Sequence, residues 1–175
     1  MSFIIIGPRS IGKSTIGKAL SKKLNIEYFD FDTYVEKELN GIDQYIKENG
    51  VESYRTEEEK ILKQFISDIP KECIISVGGG TIASQFNNIS KRNSSLLRST
   101  GKIIYLSPSE NKEEATKILF EREQKRAGDK TYSETIKLFE LRKPIYEEIF
   151  DLKIEVNDKS IAEIVKILLI KEATL

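Results

Sequence analysis

A glycine-rich stretch near the start of the chain places the strongest constraint on its fold. Residues 7–14 run Gly-Pro-Arg-Ser-Ile-Gly-Lys-Ser and match the phosphate-binding pattern G-x-x-x-x-G-K-[ST]. An apolar, β-branched run at 3–6 precedes the pattern, and apolar residues at helical spacing follow it at 16–24. The sequence therefore predicts a strand, a phosphate-binding loop and a helix in succession.

The residue types in this loop suit a phosphate anion. Glycines allow backbone N–H groups to turn toward the anion, and the positive end of the following helix dipole adds to the attraction. Lys13 can reach the β- and γ-phosphates of a nucleotide, and the Ser14 hydroxyl can ligate Mg²⁺. We therefore predict phosphate contacts from Gly7, Ser10, Ile11, Gly12, Lys13, Ser14 and Thr15.

The bulk composition limits the classes of protein that this chain can be. It has 175 residues, which predicts a single domain over 1–175, and its formal net charge is zero. A balanced charge argues against nucleic-acid binding, which needs a basic excess or patch. The chain has no histidine and a single cysteine. A zinc site and a Ser–His or Cys–His nucleophile are therefore excluded.

The sequence also predicts a cytoplasmic protein. Cys73 lies in an apolar run, which indicates a core strand residue, and a lone cysteine suits a reducing cytosol. No apolar run approaches the roughly 20 residues that cross a membrane. The N-terminus lacks the charged and then apolar pattern of a signal peptide. We therefore expect no membrane association.

Apolar runs that suit buried strands alternate with helical patterns along the whole chain. The alternation predicts an α/β fold in which a five-stranded parallel sheet is covered by helices on both faces. Functional loops are expected beyond the carboxyl ends of the strands. In detail, we predict that Asp32 caps the helix after the second strand and that Pro144 interrupts a late helix and starts a fresh turn. We also predict a helix at 115–123 that gives way to a mobile charged segment at 121–131.

Two aspartates and two arginines suit phosphoryl transfer to an acceptor that carries a carboxylate. Asp30 and Asp32 follow a strand beside the phosphate loop and can divide the work between a metal ion and a nucleophile. Arg55 and Arg142 suit the planar, bidentate grip of a carboxylate. Two alternatives remain open: Arg55 could be a surface residue with Glu58 as its structural partner, and Arg142 could pair with a glutamate at 147 or 148.

Several of these features together resemble the shikimate kinase family along nearly the whole chain. They are the loop at 7–14, the pair Asp30-x-Asp32, Tyr54-Arg55 followed by Glu58, the triple glycine Gly78-Gly79-Gly80, and Arg142-x-Pro144-x-Tyr146-Glu147-Glu148. The loop alone is common to many nucleotide-binding proteins, whereas the combination is much more specific.

The resemblance implies a fold like that of nucleoside monophosphate kinases and transfer of the γ-phosphoryl group of ATP to the 3-hydroxyl of shikimate, with Mg²⁺. It implies catalytic roles for Lys13, Asp32 and Arg126, with Asp32 at the acceptor hydroxyl. Ser14 and Asp30 match the residues that hold Mg²⁺. The matches around the shikimate carboxylate and ring are Arg55, Gly78, Gly79, Gly80 and Arg142.

The sequence departs from the family in two places. Ser10 stands where shikimate kinases commonly have a further loop glycine, and the lid, expected at about 122–131, lacks the usual Arg-Pro-Leu-Leu. Arg126 is the best match to the lid arginine at the transferring phosphate, although Lys125 or Lys130 could take its place. Near adenine, the matching residues are Arg122 and Asn157. The acceptor is expected to bind within about 32–60.

Three functions remain open on these grounds. The first is a monomeric shikimate kinase whose partners are shikimate and ATP. A second is a related small-molecule kinase with another carboxylate-bearing acceptor, such as gluconate. A third is a nucleotide-binding module that has lost catalysis and regulates a partner.

Overall fold

The chain forms a five-stranded parallel sheet covered by helices, as the alternation of elements predicts. The computed structural model describes residues 2–126 and 130–172. The strand order is β2-β3-β1-β4-β5, and every pairing is parallel. The strands are β1 Ser2–Ile6, β2 Glu27–Asp30, β3 Cys73–Ser76, β4 Gly101–Ser107 and β5 Leu152–Glu155. Strand β1 lies where the order reverses, so its following loop opens into the crevice at the carboxyl edge.

The helices bury both faces of the sheet. They are α1 Lys13–Leu24, α2 Phe31–Glu38, α3 Ile42–Asp68, α4 Gly79–Ile82, α5 Asn87–Thr100, α6 Lys112–Arg126, α7 Tyr132–Ile149 and α8 Ile161–Glu172. Because side chains alternate along a strand, β1 supplies both cores. Ile4 and Ile6 pack with residues of α2, α3 and α7, whereas Phe3 and Ile5 pack with residues of α1 and α8. No helix within the described ranges is both long enough and apolar enough to span a membrane.

The cap of α2 differs from the prediction. Asp30, and not Asp32, is the N-cap: its backbone is extended and its Oδ1 accepts a hydrogen bond from the Thr33 amide at 3.2 Å. Strand β2 ends at Asp30 and helix α2 begins at Phe31, so Asp30 occupies the capping position. Asp32 therefore lies in the first turn, where its side chain is available to the cleft.

Two helices run further than their sequences suggest. Helix α7 continues through Pro144, because a capping box between Thr131 and Glu134 secures its start and the buried Phe139 and Tyr146 hold both sides of the proline. The predicted interruption was wrong. Helix α6 runs to Arg126, so the charged residues before 127 are helical. Positions 127–129 of the predicted lid lie outside the described residues.

Glu59 joins α3, which carries Arg55 and Glu58, to α5. Arg92 donates to both of its carboxylate oxygens at 2.8 and 2.6 Å, and Lys63 donates at 2.8 Å. Led by Arg92, these contacts lower the pKa of Glu59 from 4.5 to about 2. The folded-state pKa is the depressed one, so the pair stabilises the fold above about pH 4.5, and this contribution is lost as the pH falls toward 2.

We expect Glu59→Gln to lower the free energy of unfolding by about 1–2 kcal/mol at pH 7, a figure that allows for solvent around Arg92. Urea titrations at pH 7 and at about pH 3 measure the effect, and the difference from the parent should shrink at the lower pH. Glu57→Gln removes an ion pair to the exposed Lys60 and is the control, with an expected change below about 0.5 kcal/mol. A loss at Glu59 that is independent of pH would contradict the assignment.

Candidate active site

The phosphate-binding loop turns tightly between β1 and α1. Gly7, Ser10 and Gly12 have positive φ values of 146°, 62° and 105°. At Gly7 a Cβ would lie only 2.7 Å from the carbonyl oxygen of Leu106, so the close approach of β4 requires glycine. Helix α1 begins at Lys13, and its first amides therefore face the hollow of the loop. The Lys13 ammonium donates to the carbonyl oxygens of Gly7 and Pro8, at 3.1 and 3.0 Å.

A cleft of about 670 Å³ opens above this loop. The predicted site residues that line it are Ser10, Gly12, Lys13, Ser14, Thr15, Asp30, Asp32, Arg122 and Arg126. Ile11 instead points into the core and contributes its backbone carbonyl, which accepts a hydrogen bond from Arg122 at 2.7 Å. Asn157 does not line the cleft; its amide donates to Glu114 at 2.7 Å. Its predicted contact with adenine remains a prediction.

Asp30 is held by a dense set of hydrogen bonds at the edge of the cleft. Its Oδ2 accepts from Ser14 at 2.8 Å, Tyr28 at 2.9 Å and Ser76 at 3.0 Å. Burial alone would raise the pKa of Asp30, but these bonds and that of the Thr33 amide lower it below its usual value. Asp30 is therefore a fixed carboxylate at neutral pH. The roles of Tyr28 and Ser76 were missed, since nothing in their spacing points to Asp30.

Ser14 and Asp30 together fit a magnesium ion. They place a hydroxyl and a carboxylate side by side, and these are the hard oxygen ligands that Mg²⁺ prefers. Within 2–126 and 130–172 no group of three or more His, Cys, Asp or Glu side chains could hold a metal. Mg²⁺ at phosphoryl-transfer sites commonly uses only one or two protein ligands plus phosphate oxygens and water.

A second pocket, of about 240 Å³, adjoins the first. Its polar lining includes Arg9, Lys13, Asp32, Tyr54, Arg55, Glu58, Gly78, Gly79, Gly80, Thr81, Arg126 and Arg142. The lining side chains in the described part of the chain thus include five cations and two carboxylates. This excess of positive charge suits an anionic small molecule. Arg9 was not predicted, because it occupies an unconstrained position of the loop pattern.

Arg55 is held in place by a buried carboxylate. Glu58, only 2% exposed, accepts a hydrogen bond from Arg55 at 2.6 Å, one helical turn away. Its other oxygen accepts from the hydroxyls of Tyr54 at 3.1 Å and Thr81 at 2.9 Å. Glu58 is therefore the predicted structural partner of Arg55, yet the pair faces the pocket and not open solvent.

The three consecutive glycines make room for three different side chains. A Cβ at Gly78 would collide with the Asp32 carboxylate, and one at Gly80 would collide with the Arg55 guanidinium. At Gly79 a Cβ would collide with the Tyr146 hydroxyl. None of the three has a positive φ. Close approach, and not backbone freedom, therefore requires glycine here.

Arg142 projects from the middle of α7 toward the triple glycine. Its Nε donates to the carbonyl oxygen of Ala83 at 3.2 Å. Glu147, a possible surface partner by sequence, instead accepts from Lys153 at 2.7 Å. Arg142 therefore faces the second pocket.

Asp32 and Lys13 lie between the two pockets, and each feels the charge of the other. Loss of hydration from the surrounding protein raises the pKa of Asp32, although Lys13 opposes this effect. Asp30 and Glu58 add to the rise. Burial lowers the pKa of Lys13 to about 8, against the opposing effects of Asp32 and Asp30. Asp32 is consequently a better proton acceptor than an ordinary surface aspartate.

The two pockets share part of their lining. Lys13, Asp32, Ile42 and Arg126 border both. Neither Lys125 nor Lys130 lines either pocket, so Arg126 is the lid-region cation that reaches the shared boundary. A phosphate chain in the larger cleft and a small anion in the other would meet there, beside Asp32.

Comparison with known proteins agrees with this arrangement. The sequence model of the shikimate kinase family matches residues 9–171. The chain is 32% identical to the shikimate kinase of Enterococcus faecalis, over 94% of both chains. It is 33% identical to that of Dictyoglomus turgidum, over 93% of this chain and 92% of the relative.

The solved shikimate kinase from Aquifex aeolicus superimposes with a TM-score of 0.78 at 28% identity, covering 99% of this chain and 96% of the other. The match extends over nearly the full length of both chains. The chain therefore belongs to the shikimate kinase family.

Proposed function

We propose that this chain transfers the γ-phosphoryl group of ATP to the 3-hydroxyl of shikimate. The observation that carries the proposal is the shared boundary of the two pockets, where Lys13, Asp32 and Arg126 lie together. The larger cleft suits the phosphates of ATP because it contains the loop and the start of α1. The smaller, positively charged pocket suits an acceptor that carries a carboxylate.

The acceptor carboxylate is expected to bind Arg55 and Arg142. Both are arginines, whose planar guanidinium groups can grip a carboxylate with two parallel hydrogen bonds. Each is already held by the protein, Arg55 by Glu58 and Arg142 by the Ala83 carbonyl. Pre-ordered arginines lose little side-chain entropy when the acceptor binds.

In the reaction, the acceptor oxygen forms a bond to the γ-phosphorus as the bond from that phosphorus to the β–γ bridging oxygen breaks and ADP leaves. Asp32 orients the attacking hydroxyl and takes its proton. Lys13 and Arg126 stabilise the charge on the transferring group and on the leaving oxygen. Ser14 and Asp30 would hold Mg²⁺, which neutralises phosphate charge when bound.

We further propose that the enzyme is a single-domain monomer, in which one five-stranded sheet carries both pockets at its carboxyl edge. Within that domain, residues 32–60 would form the acceptor side and 122–131 the lid. A cytoplasmic location is supported by the single buried cysteine. The zero net charge gives no support to a nucleic-acid partner.

Measuring ADP release by the purified protein tests the proposal. Reactions contain ATP and Mg²⁺ with shikimate, with gluconate, or with no acceptor. We expect ADP release that depends on shikimate and yields shikimate 3-phosphate. ADP release that depends on gluconate would instead identify a kinase that acts on sugar acids. ATP binding without turnover on either acceptor would favour a nucleotide-binding module that has lost catalysis and regulates a partner.

A further inference from the structure

Glu123 is a buried carboxylate that the reaction outlined above does not use. It lies in the last turns of α6 and is only 3% exposed. Its Oε2 accepts a hydrogen bond from the Ser10 hydroxyl at 2.6 Å, and its Oε1 lies 3.0 Å from the Arg9 Nε. The preceding residue, Arg122, donates to the carbonyl oxygen of Ile11 at 2.7 Å. The end of α6 is thus attached to three consecutive residues of the phosphate loop.

Ser10 is the residue that most needs such a contact. Its φ of 62° lies in the left-handed region, which costs a non-glycine residue free energy unless its surroundings favour it. A hydrogen bond to a carboxylate is stronger than one between neutral groups. Glu123 therefore selects the left-handed conformation of Ser10, and with it the course of the loop around the phosphates.

The charge of Glu123 has a second partner with a role in the site. A buried carboxylate without a cation is strongly unfavourable, so the contact with Arg9 is required by the burial itself. Arg9 in turn lines the smaller, acceptor-side pocket. One carboxylate thus connects the conformation of the loop to a cation at the acceptor pocket.

We propose that Glu123 is a positioning residue that holds the phosphate loop in its nucleotide-binding conformation through Ser10. The proposal rests on the proposed function only in taking ADP and ATP as ligands of the loop. It predicts that the need for Glu123 depends on the residue at position 10. Glycine adopts a left-handed φ without a side-chain partner, so a chain with glycine there should need the carboxylate far less.

A double-mutant cycle tests this prediction. Dissociation constants for ADP with Mg²⁺ are measured by calorimetry for the parent, Glu123→Ala, Ser10→Gly and the double variant. Glu123→Ala should weaken ADP binding by about 10- to 100-fold in the parent, the range expected when a hydrogen bond to a charged group is lost. In the Ser10→Gly background the same change should weaken binding by less than about 3-fold relative to its own parent.

Further variants separate positioning from folding. Glu121→Ala, at an exposed position of the same helix, should leave ADP binding unchanged. If Glu123→Ala fails to fold, Glu123→Gln enters the same cycle with a smaller loss, because glutamine keeps an acceptor for Ser10. Equal losses in the two backgrounds, or none in either, would overturn the proposal. An enzyme that failed to act on shikimate would refute the proposed function but leave these ADP affinities readable.

Discussion

Replacement of Asp32 by asparagine is expected to lower kcat by about 10²–10⁴-fold, the usual range for loss of a general base. Asparagine keeps the shape of the side chain but cannot take a proton. Asp32 lies at the boundary of the two pockets with a raised pKa. The effect should fall on kcat, with the KM for ATP changed only a few-fold. Steady-state rates at saturating ATP and shikimate measure it.

Asp30→Asn is the informative comparison for Asp32. Asp30 is bonded to Ser14 and carries a lowered pKa, so its loss should raise the Mg²⁺ concentration needed for half-maximal rate. Asp43→Asn, at an exposed position early in α3, should change neither property. If Asp30→Asn lost kcat alone and Asp32→Asn shifted the Mg²⁺ requirement, the assigned roles would be exchanged.

Replacement of Lys13 by methionine should remove most of the turnover, by at least about 10²–10³-fold in kcat, the loss typical of one preorganised charge-stabilising donor. The ammonium lies at the boundary of the pockets and within the loop. Methionine keeps the unbranched stem, so packing is largely preserved. The charge is lost where negative charge builds up on the transferring phosphoryl group.

Stability provides the control for Lys13. Burial lowers the pKa of Lys13 to about 8, which shows that the charged form is held at a cost in the free protein. Lys13→Met should therefore unfold at the same temperature as the parent or higher. Lys22→Met, at an exposed position of α1, should keep full activity. Near-parental turnover by Lys13→Met would show that the phosphate loop does not stabilise the transferring group as proposed.

Much of the fold follows from local pattern. The strands β1, β3 and β4 are largely apolar, and strands alternate with helices along the chain, so a parallel sheet covered on both faces is the expected arrangement. The structure confirms this class and the five strands. Within α3 the helix is broken at Gly50, whose φ of 82° is not helical and is easily adopted by glycine.

The two helices that were predicted too short have different causes. Proline normally ends a helix, but Pro144 sits between buried residues that hold α7 on both sides. The charged end of α6 was predicted to be a mobile segment because of its charge density, although Glu, Arg, Gln and Lys are good helix formers, so here local propensity was the better guide. Arg122 and Glu123 then attach this end of the helix to the phosphate loop.

Single residues with strong chemistry were predictable, whereas their supporting partners were not. Arg55, Arg142 and the two aspartates stand out by type and place. Tyr28, Thr81 and Glu123 act through contacts with residues that are 2, 23 and 113 positions away. No spacing rule connects residues across such varied distances, so only the fold reveals these pairs.

The proposed role of the smaller pocket is to bind an acceptor by its carboxylate, beside the phosphates of ATP. The values of kcat/KM for shikimate and for an analogue without the carboxylate, each with the parent and with Arg142→Ala, test it most directly. Hydrogen bonds to charged groups contribute about 1.5–3 kcal/mol, so Arg142→Ala should lower kcat/KM for shikimate about 10- to 150-fold. Arg142→Lys should recover only part of this, since an ammonium lacks the planar fork. The analogue should be almost indifferent to the change, and ATP affinity should stay near that of the parent. Equal losses for shikimate and the analogue would contradict the claim and make Arg142 a structural residue.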